Sequence, residues 1–384
     1  MTKPPGVVDG AQVLARLEAF LLARHPSFAR DPVVIETART LSVGYTEHRR
    51  IDEDAAGSLA YLAHFGPRAV VAVAHALRAL PDAASGTLGG AHVVDFGCGS
   101  GASSLPWIAA GVRRLTLVDR SARALELAVA LLRWLAPDAV VDVIRADVLA
   151  VGAPGVGPGA RPPVVAAAPA VRHATHVGAA FVVGEWSAED AAPAALTAWL
   201  ERAAPQARSF VLVDAGDHPR ARRLQQLRDD WVVRADRTVH GPCPHRDPCP
   251  ALTRARDWCH DVVDKALPTH LAAFARAVGR DDRAMAASWL SVSRAAALAP
   301  TLDELVVIGE PQRDKGRVRL PVCGPRGLRF VQALKRHRGA FALVSELPRG
   351  MRLPVPPAEG DTAHVDDATV TMLGSPLAPP RSSP

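Results

Sequence analysis

Apolar positions recur at helical spacing early in the chain and gather into short, nearly continuous runs further on. Val13, Leu14, Leu17, Phe20 and Leu21 line one helix face, with Arg16, Glu18 and Arg24 between them. Residues 59–80 keep the helical period, with a break expected at Gly66-Pro67. Residues 1–85 therefore read as a helical region. From Ala91 the pattern changes to apolar runs that alternate with amphipathic stretches. The runs 91–96, 115–119, 140–147, 179–186 and 209–217 read as strands. Helices are expected near Ala102, over 121–135 and near 188–203. That alternation predicts an α/β fold with a mostly parallel, doubly wound sheet. Residues 302–310 and 317–323 supply its expected sixth and seventh strands. The main domain spans 86–340, with a cysteine-bearing, largely helical insertion at about 240–300. Residues 151–178, rich in Gly, Pro and Ala, read as an irregular insertion. A C-terminal extension covers 341–384 and is expected to be disordered from about Leu353.

Composition fits a large globular protein: 384 residues, 48% of them hydrophobic. Formal net charge is +6, and the only lysines are Lys3, Lys265, Lys315 and Lys335, so nearly all the basic charge is Arg. Arginine suits phosphate backbones, and a solvated Arg-rich surface accounts for the charge equally well. Arg220, Arg222, Arg223 and the run Lys335-Arg336-His337-Arg338 are the phosphate-contact candidates. No apolar run is long enough to span a membrane, and the amphipathic N-terminus is not a secretory signal. A reducing compartment follows: the cytoplasm in a bacterium, the mitochondrion in a eukaryote. Nothing in the sequence specifies an oligomeric state.

Asp95-Phe96-Gly97-Cys98-Gly99-Ser100-Gly101 lies between a strand and a helix. Glycines there allow a tight turn and close approach of backbone to ligand, and the helix beyond offers unpaired N–H groups. Asp119 closes the next strand, where a carboxylate can accept both ribose hydroxyls. Asp147 closes the third, within reach of an adenine amino group. Asp95 is placed to face a cationic amino-acid moiety. Acids beside the loop suit S-adenosylmethionine (SAM), which carries a sulfonium and an ammonium and no phosphate. Gly97, Gly99 and Ala102 also satisfy the dinucleotide pattern, so a nicotinamide-dependent oxidoreductase is a rival. After the fourth strand, Gly184-Glu185-Trp186-Ser187 stands where a base-amino methyltransferase would carry Asn/Asp-Pro-Pro-Tyr. Glu185 is a candidate general base and equally a strand-end carboxylate without chemistry. Cys98 reads as a small residue between loop glycines.

Cys243, Cys249 and Cys259 crowd into one Pro-rich segment, and Cys323 follows much later. The spacing is not that of a zinc-finger pair. It suits a cluster assembled by folding, with iron–sulfur ahead of zinc, for which His245 and His260 are further ligands.

The segment around Cys243 and Cys249, the Trp258-Cys259-His260 run, the late Val322-Cys323-Gly324-Pro325-Arg326-Gly327 run, the glycine loop and residues 210–229 together resemble the mitochondrial small-ribosomal-subunit methyltransferase-like proteins and their bacterial relatives. The resemblance covers roughly residues 40–340. It implies a class I SAM-dependent methyltransferase fold with a four-cysteine [4Fe-4S] cluster on Cys243, Cys249, Cys259 and Cys323. It implies a methyl-donor loop at Asp95–Gly101, and association with the small ribosomal subunit and its rRNA during assembly. Asp261 departs from the family's common aromatic, and Asp214 from its common Glu. The expected function is thus a SAM-dependent methyltransferase-like protein acting on or binding small-subunit rRNA. The alternatives are a noncatalytic assembly factor and a zinc-containing methyltransferase acting on a small molecule or protein.

Overall fold

The computed structural model describes residues 8–46, 58–148, 168–185, 193–243, 245–280, 283–295, 304–325, 327–354 and 362–369. Helices α1 (Gly10–Arg24), α2 (Pro32–Thr46) and α3 (Leu59–Leu77) come first. Every apolar position singled out in α1 is buried, and Asp9 caps it by accepting the Ala11 N–H. The helix α3 runs unbroken through Pro67, which corrects the expected break. Proline removes one helical hydrogen bond, at a cost of about 3 kcal/mol. Burial of Leu62, Val70, Val71, Val73 and Leu77 offsets it, since each large apolar side chain contributes about 1.5–3 kcal/mol.

The first sheet contains β1 (His92–Phe96), β2 (Arg114–Asp119), β3 (Val140–Arg145), β4 (His176–Ala180), β5 (Ser209–Ala215), β6 (Thr238–Gly241), β7 (Asp261–Asp264) and β8 (Ala284–Ser293). Its order is β3-β2-β1-β4-β5-β8-β6, with β7 also on β8. The strands β1 to β5 are parallel, and β8 runs antiparallel to β5, β6 and β7. The fourth strand thus starts earlier than expected, and 181–185 form the turn beyond it. Helices α4 (Ala122–Leu135), α5 (Pro193–Ala203) and α6 (His218–Val232) follow β2, β4 and β5, and α7 (Thr269–Val278) precedes β8. One sheet face packs on α1, α3, α4 and α7, and the other on α5 and α6, where Phe96, Trp199, Phe210 and Trp231 are buried. Residues 151–167, Trp186 and Ser187 fall outside the described residues.

The strands expected at 302–310 and 317–323 do not complete this sheet. They belong to a second one: β9 (Glu304–Val307), β10 (Gln312–Asp314), β11 (Arg317–Gly324), β12 (Gly327–Leu334), β13 (Arg352–Pro354) and β14 (Thr362–Val365). The short helix α8 (Arg338–Val344) covers its inner face, where Val318, Leu320, Val331 and Ala333 meet Ala340 and Val344. The tail expected to be disordered supplies two of these strands, and β14 pairs in parallel with β12. Within 240–300, the largely helical insertion expected there contains β7 and β8 and most of a cysteine loop. That loop leaves β6 and returns at β7, both on the same edge of β8. Among the described residues no helix is long and apolar enough to cross a membrane.

Candidate methyl-donor site and cysteine seam

The glycine loop turns sharply at the carboxyl end of β1. Gly97, Gly99 and Gly101 all have positive φ. A Cβ on Gly97 would lie 2.7 Å from Val182, and one on Gly101 would lie 2.8 Å from the Ala128 Cβ on α4. Glycine is therefore required at both positions by conformation and by space. The loop is tied to β2: Gly97 donates to the Val118 carbonyl at 2.8 Å, and Gly99 to Asp119 Oδ2 at 2.8 Å. Asp119 Oδ1 accepts the Ser121 N–H at 2.9 Å. Each Asp119 oxygen keeps a lone pair for a ligand hydroxyl.

Asp119 and Asp147 share this edge. Burial raises the Asp119 pKa from its ordinary value, and the Asp147 charge adds to the shift. Asp95 lies behind the loop instead. It is 1% exposed, and its Oδ2 accepts from Ser103 Oγ at 2.7 Å and Ser104 Oγ at 2.6 Å. Burial raises its pKa too. In this geometry Asp95 braces the loop against the following helical turn. Cys98 is buried, and burial together with Asp119 and Asp95 drives its thiol pKa well up, so it is no nucleophile.

Sequence reasoning missed Tyr61. A Cβ on Gly99 would stand 3.6 Å from the Tyr61 hydroxyl, so α3 overhangs the loop. Only the helical period of 59–80 hinted at that face.

At the ends of β4 and β5, Asp214 is 1% exposed and accepts from Gly184 N at 2.7 Å and Ala215 N at 2.8 Å. Burial raises its pKa to about 6 against those two bonds. Glu185 is exposed at the turn after β4, where Phe181 has a positive φ of 60°.

The cysteine loop is held along one side of α6. Arg222 donates to the carbonyls of Ala251, Arg254 and Asp257 at 3.0, 2.9 and 2.8 Å. Gln225 Nε2 donates to the Cys259 carbonyl at 3.1 Å, and Arg228 reaches the His245 and Asp247 carbonyls. Asp229 accepts the Cys249 N–H at 2.9 Å. Arg220 pairs with Asp217 at 2.6 Å, and Arg223 is buried. Arg222 and Arg228 build the loop, whereas Arg220 serves the β4–β5 end, 3.7 Å from Asp214, so the phosphate-contact candidates Arg220, Arg222 and Arg223 are engaged inside the protein. Asp261 is explained as well: its carboxylate accepts from Trp289 Nε1 at 2.6 Å and pairs with His75 at 2.9 Å.

Cys323 lies on β11 in the second sheet, 3.3 Å from His245 Nε2. The second sheet meets the loop there, with the Gly327 position facing Pro250. The four thiols are mutually within electrostatic reach. Burial and then Cys243 push Cys249 up to about 11, while Cys259 and Cys323 are raised by burial and by their cysteine neighbours. Among the described residues, however, no three His, Cys, Asp or Glu side chains stand at the spacing of a metal-ion site.

Five parallel strands in the order 3-2-1-4-5, an antiparallel strand inserted beyond the fifth, and a glycine loop after the first define a class I SAM-dependent methyltransferase fold. The chain belongs to the family described as Mitochondrial small ribosomal subunit Rsm22, which matches residues 55–344. No curated protein matches it significantly in sequence. Similar solved structures include magnesium protoporphyrin IX methyltransferase of Synechocystis PCC 6803 with bound SAM, at 16% identity over 64% of this chain and 99% of that one, TM-score 0.35. A candidate RNA methyltransferase of Pyrococcus horikoshii matches at 14% identity over 57% and 83%, TM-score 0.33. Geranyl diphosphate C-methyltransferase of Streptomyces coelicolor A3(2) matches at 13% over 54% and 73%, TM-score 0.29. Strand order, not these overlays, defines the fold.

Proposed function

We propose that the protein binds SAM at the β1–β2 edge and acts on or binds small-subunit rRNA during ribosome assembly. The observation that carries the donor site is Asp119: it is tied to the glycine loop through Gly99 and retains acceptor capacity on both oxygens. Asp119 takes the ribose hydroxyls and Asp147 the adenine edge. The backbone of Gly97, Gly99 and Gly101 lets the ligand approach, and Asp95 positions the loop. The family match supports the ribosomal half of this reading. Isothermal titration tests the donor, with SAM binding expected and NADH binding absent. Co-sedimentation with small ribosomal subunits tests the partner.

Cys243, Cys249, Cys259 and Cys323 are the residues to hold a [4Fe-4S] cluster. Their mutual approach, burial and shared cation Arg228 support this. A cluster places each thiolate on a different iron, so its ligands stand wider apart than those of one ion. Bound through four protein thiolates, such a cluster supplies cross-linking between the loop and the second sheet.

A second reading, an assembly factor without methyl transfer, is favoured by the acceptor side. Glu185 is exposed, and Asp214 is shut away from solvent at 1% exposure, with Arg220 3.7 Å from it. A methylation assay on subunits from cells lacking the protein separates the two.

A further inference from the structure

The chain's net positive charge is concentrated in one segment of the sequence. Residues 312–338 contain nine Lys and Arg against one acid, Asp314, a net +8. The whole chain carries +6, so everything else sums to −2. This segment is the β10–β11–β12 part of the second sheet and the turn after it.

The pleat sorts its side chains. Val318, Leu320, Val322, Val331 and Ala333 are buried toward α8. The alternate positions form the opposite face, where register sets Arg319 beside Gln332 and Gln332 beside His364. The next row is Pro321, Phe330 and Thr362. The Arg319 guanidinium lies over the Phe330 ring, 5.2 Å from its centroid. Gln332 Nε2 is 3.3 Å from His364 Nδ1. Arg317 leans on Asp314 at 2.8 Å, the one carboxylate of the segment. Beyond β12, Lys335, Arg336 and Arg338 are exposed.

We propose that this outward face binds single-stranded RNA, a proposal that rests on the ribosomal reading above. Charge complementarity argues for a polyanion. An aromatic ring paired with a guanidinium in mid-sheet offers a stacking platform, and flanking amide and imidazole groups offer hydrogen bonds to base edges. Stacking requires unpaired bases, which duplex RNA does not present. On α6, Arg222 and Arg228 are engaged by carbonyls of the cysteine loop, and Arg220 by Asp217.

The test is fluorescence anisotropy of full-length protein with labelled single-stranded and duplex RNA oligonucleotides over a range of salt. Wild type should prefer the single strand. Phe330→Ala should weaken binding about five- to a hundredfold with little change in salt dependence, as expected when one stacking partner is removed. The exposed triple variant Lys335→Ala/Arg336→Ala/Arg338→Ala should lower the log–log salt slope by about 0.7 for each phosphate no longer neutralised. SAM titration and circular dichroism of each variant verify folding. Undiminished RNA affinity in both variants, or duplex bound as tightly as single strand, overturns the assignment. In the first of these cases, retained co-sedimentation with the subunit leaves the ribosomal reading standing. Wild type that neither binds RNA nor co-sediments removes the ribosomal reading and this face with it.

Discussion

Asp119 and Gly99 are joined by a 2.8 Å hydrogen bond from the glycine N–H to the carboxylate. The same side chain therefore shapes the loop and offers acceptors at its rim. Asp119→Ala should weaken SAM binding about tenfold or more, the loss expected for charge-assisted hydrogen bonds worth about 1.5–3 kcal/mol. Calorimetric titration checks this, and unchanged affinity removes Asp119 from the donor site.

Gly101→Ala tests the loop's geometry apart from its charge. The new methyl group meets Ala128 on α4 at 2.8 Å while the backbone stays at φ 83°. A left-handed non-glycine residue costs about 1–3 kcal/mol before the clash is counted. The variant should melt several degrees lower and lose SAM affinity. A melting temperature equal to wild type would mean the loop is free to rearrange.

Asp214 gives a pH signature. Its pKa rises on folding from 3.8 to about 6, so the folded state favours the protonated acid. Its stabilising contribution is full below about pH 4 and is lost as pH rises through 6. The stability difference between wild type and Asp214→Asn should therefore shift against wild type by about 2 kcal/mol from pH 4 to pH 7. Urea unfolding across that range measures it, and a pH-independent difference rules out a raised acid at this position.

Anaerobically purified protein should be brown, with visible absorption that bleaches in air. Cys→Ser at 243, 249, 259 or 323 should cut iron content and soluble yield. Cys98→Ser, buried in the donor loop, should leave the metal unchanged. Colourless protein with one zinc per chain would overturn the cluster assignment and keep the four-cysteine site.

The strands β1, β2, β4 and β5 are legible because strands buried on both faces read as continuous apolar runs, whereas the half-exposed edge strand β3 is legible from its Val and Ile residues. All of β1 and β4 is buried, as is most of β5. The error over 304–324 has its cause in the same rule. Arg317-Val318-Arg319-Leu320 alternates, which marks an antiparallel strand with one solvated face and not the closing strand of a parallel sheet. The true neighbour of β5 is β8, hidden by its small and polar residues. Ser291 of β8 is buried because its hydroxyl donates to the Ala76 carbonyl at 2.8 Å. The glycine loop and the acids Asp119 and Asp147 were readable from strand ends. The inward position of Asp95 was not, because it depends on Ser103 and Ser104 folding back. The approach of Cys323 to Cys249 was suggested by family resemblance. Geometrically it needs two sheets to meet, which no local pattern encodes.

Cys323 shares its strand with the buried Val318, Leu320 and Val322 and with the outward Arg317 and Arg319. A slip of β11 by one residue would turn all of them over together. The thiol would leave its companions, the arginines would enter an apolar interior, and valines would face water. The short link from Gly324 to Gly327, with φ 91° at Gly327, fixes that register. A single hairpin turn thus guards a buried thiol, a core and a charged surface at once, and lengthening it by one residue should damage all three.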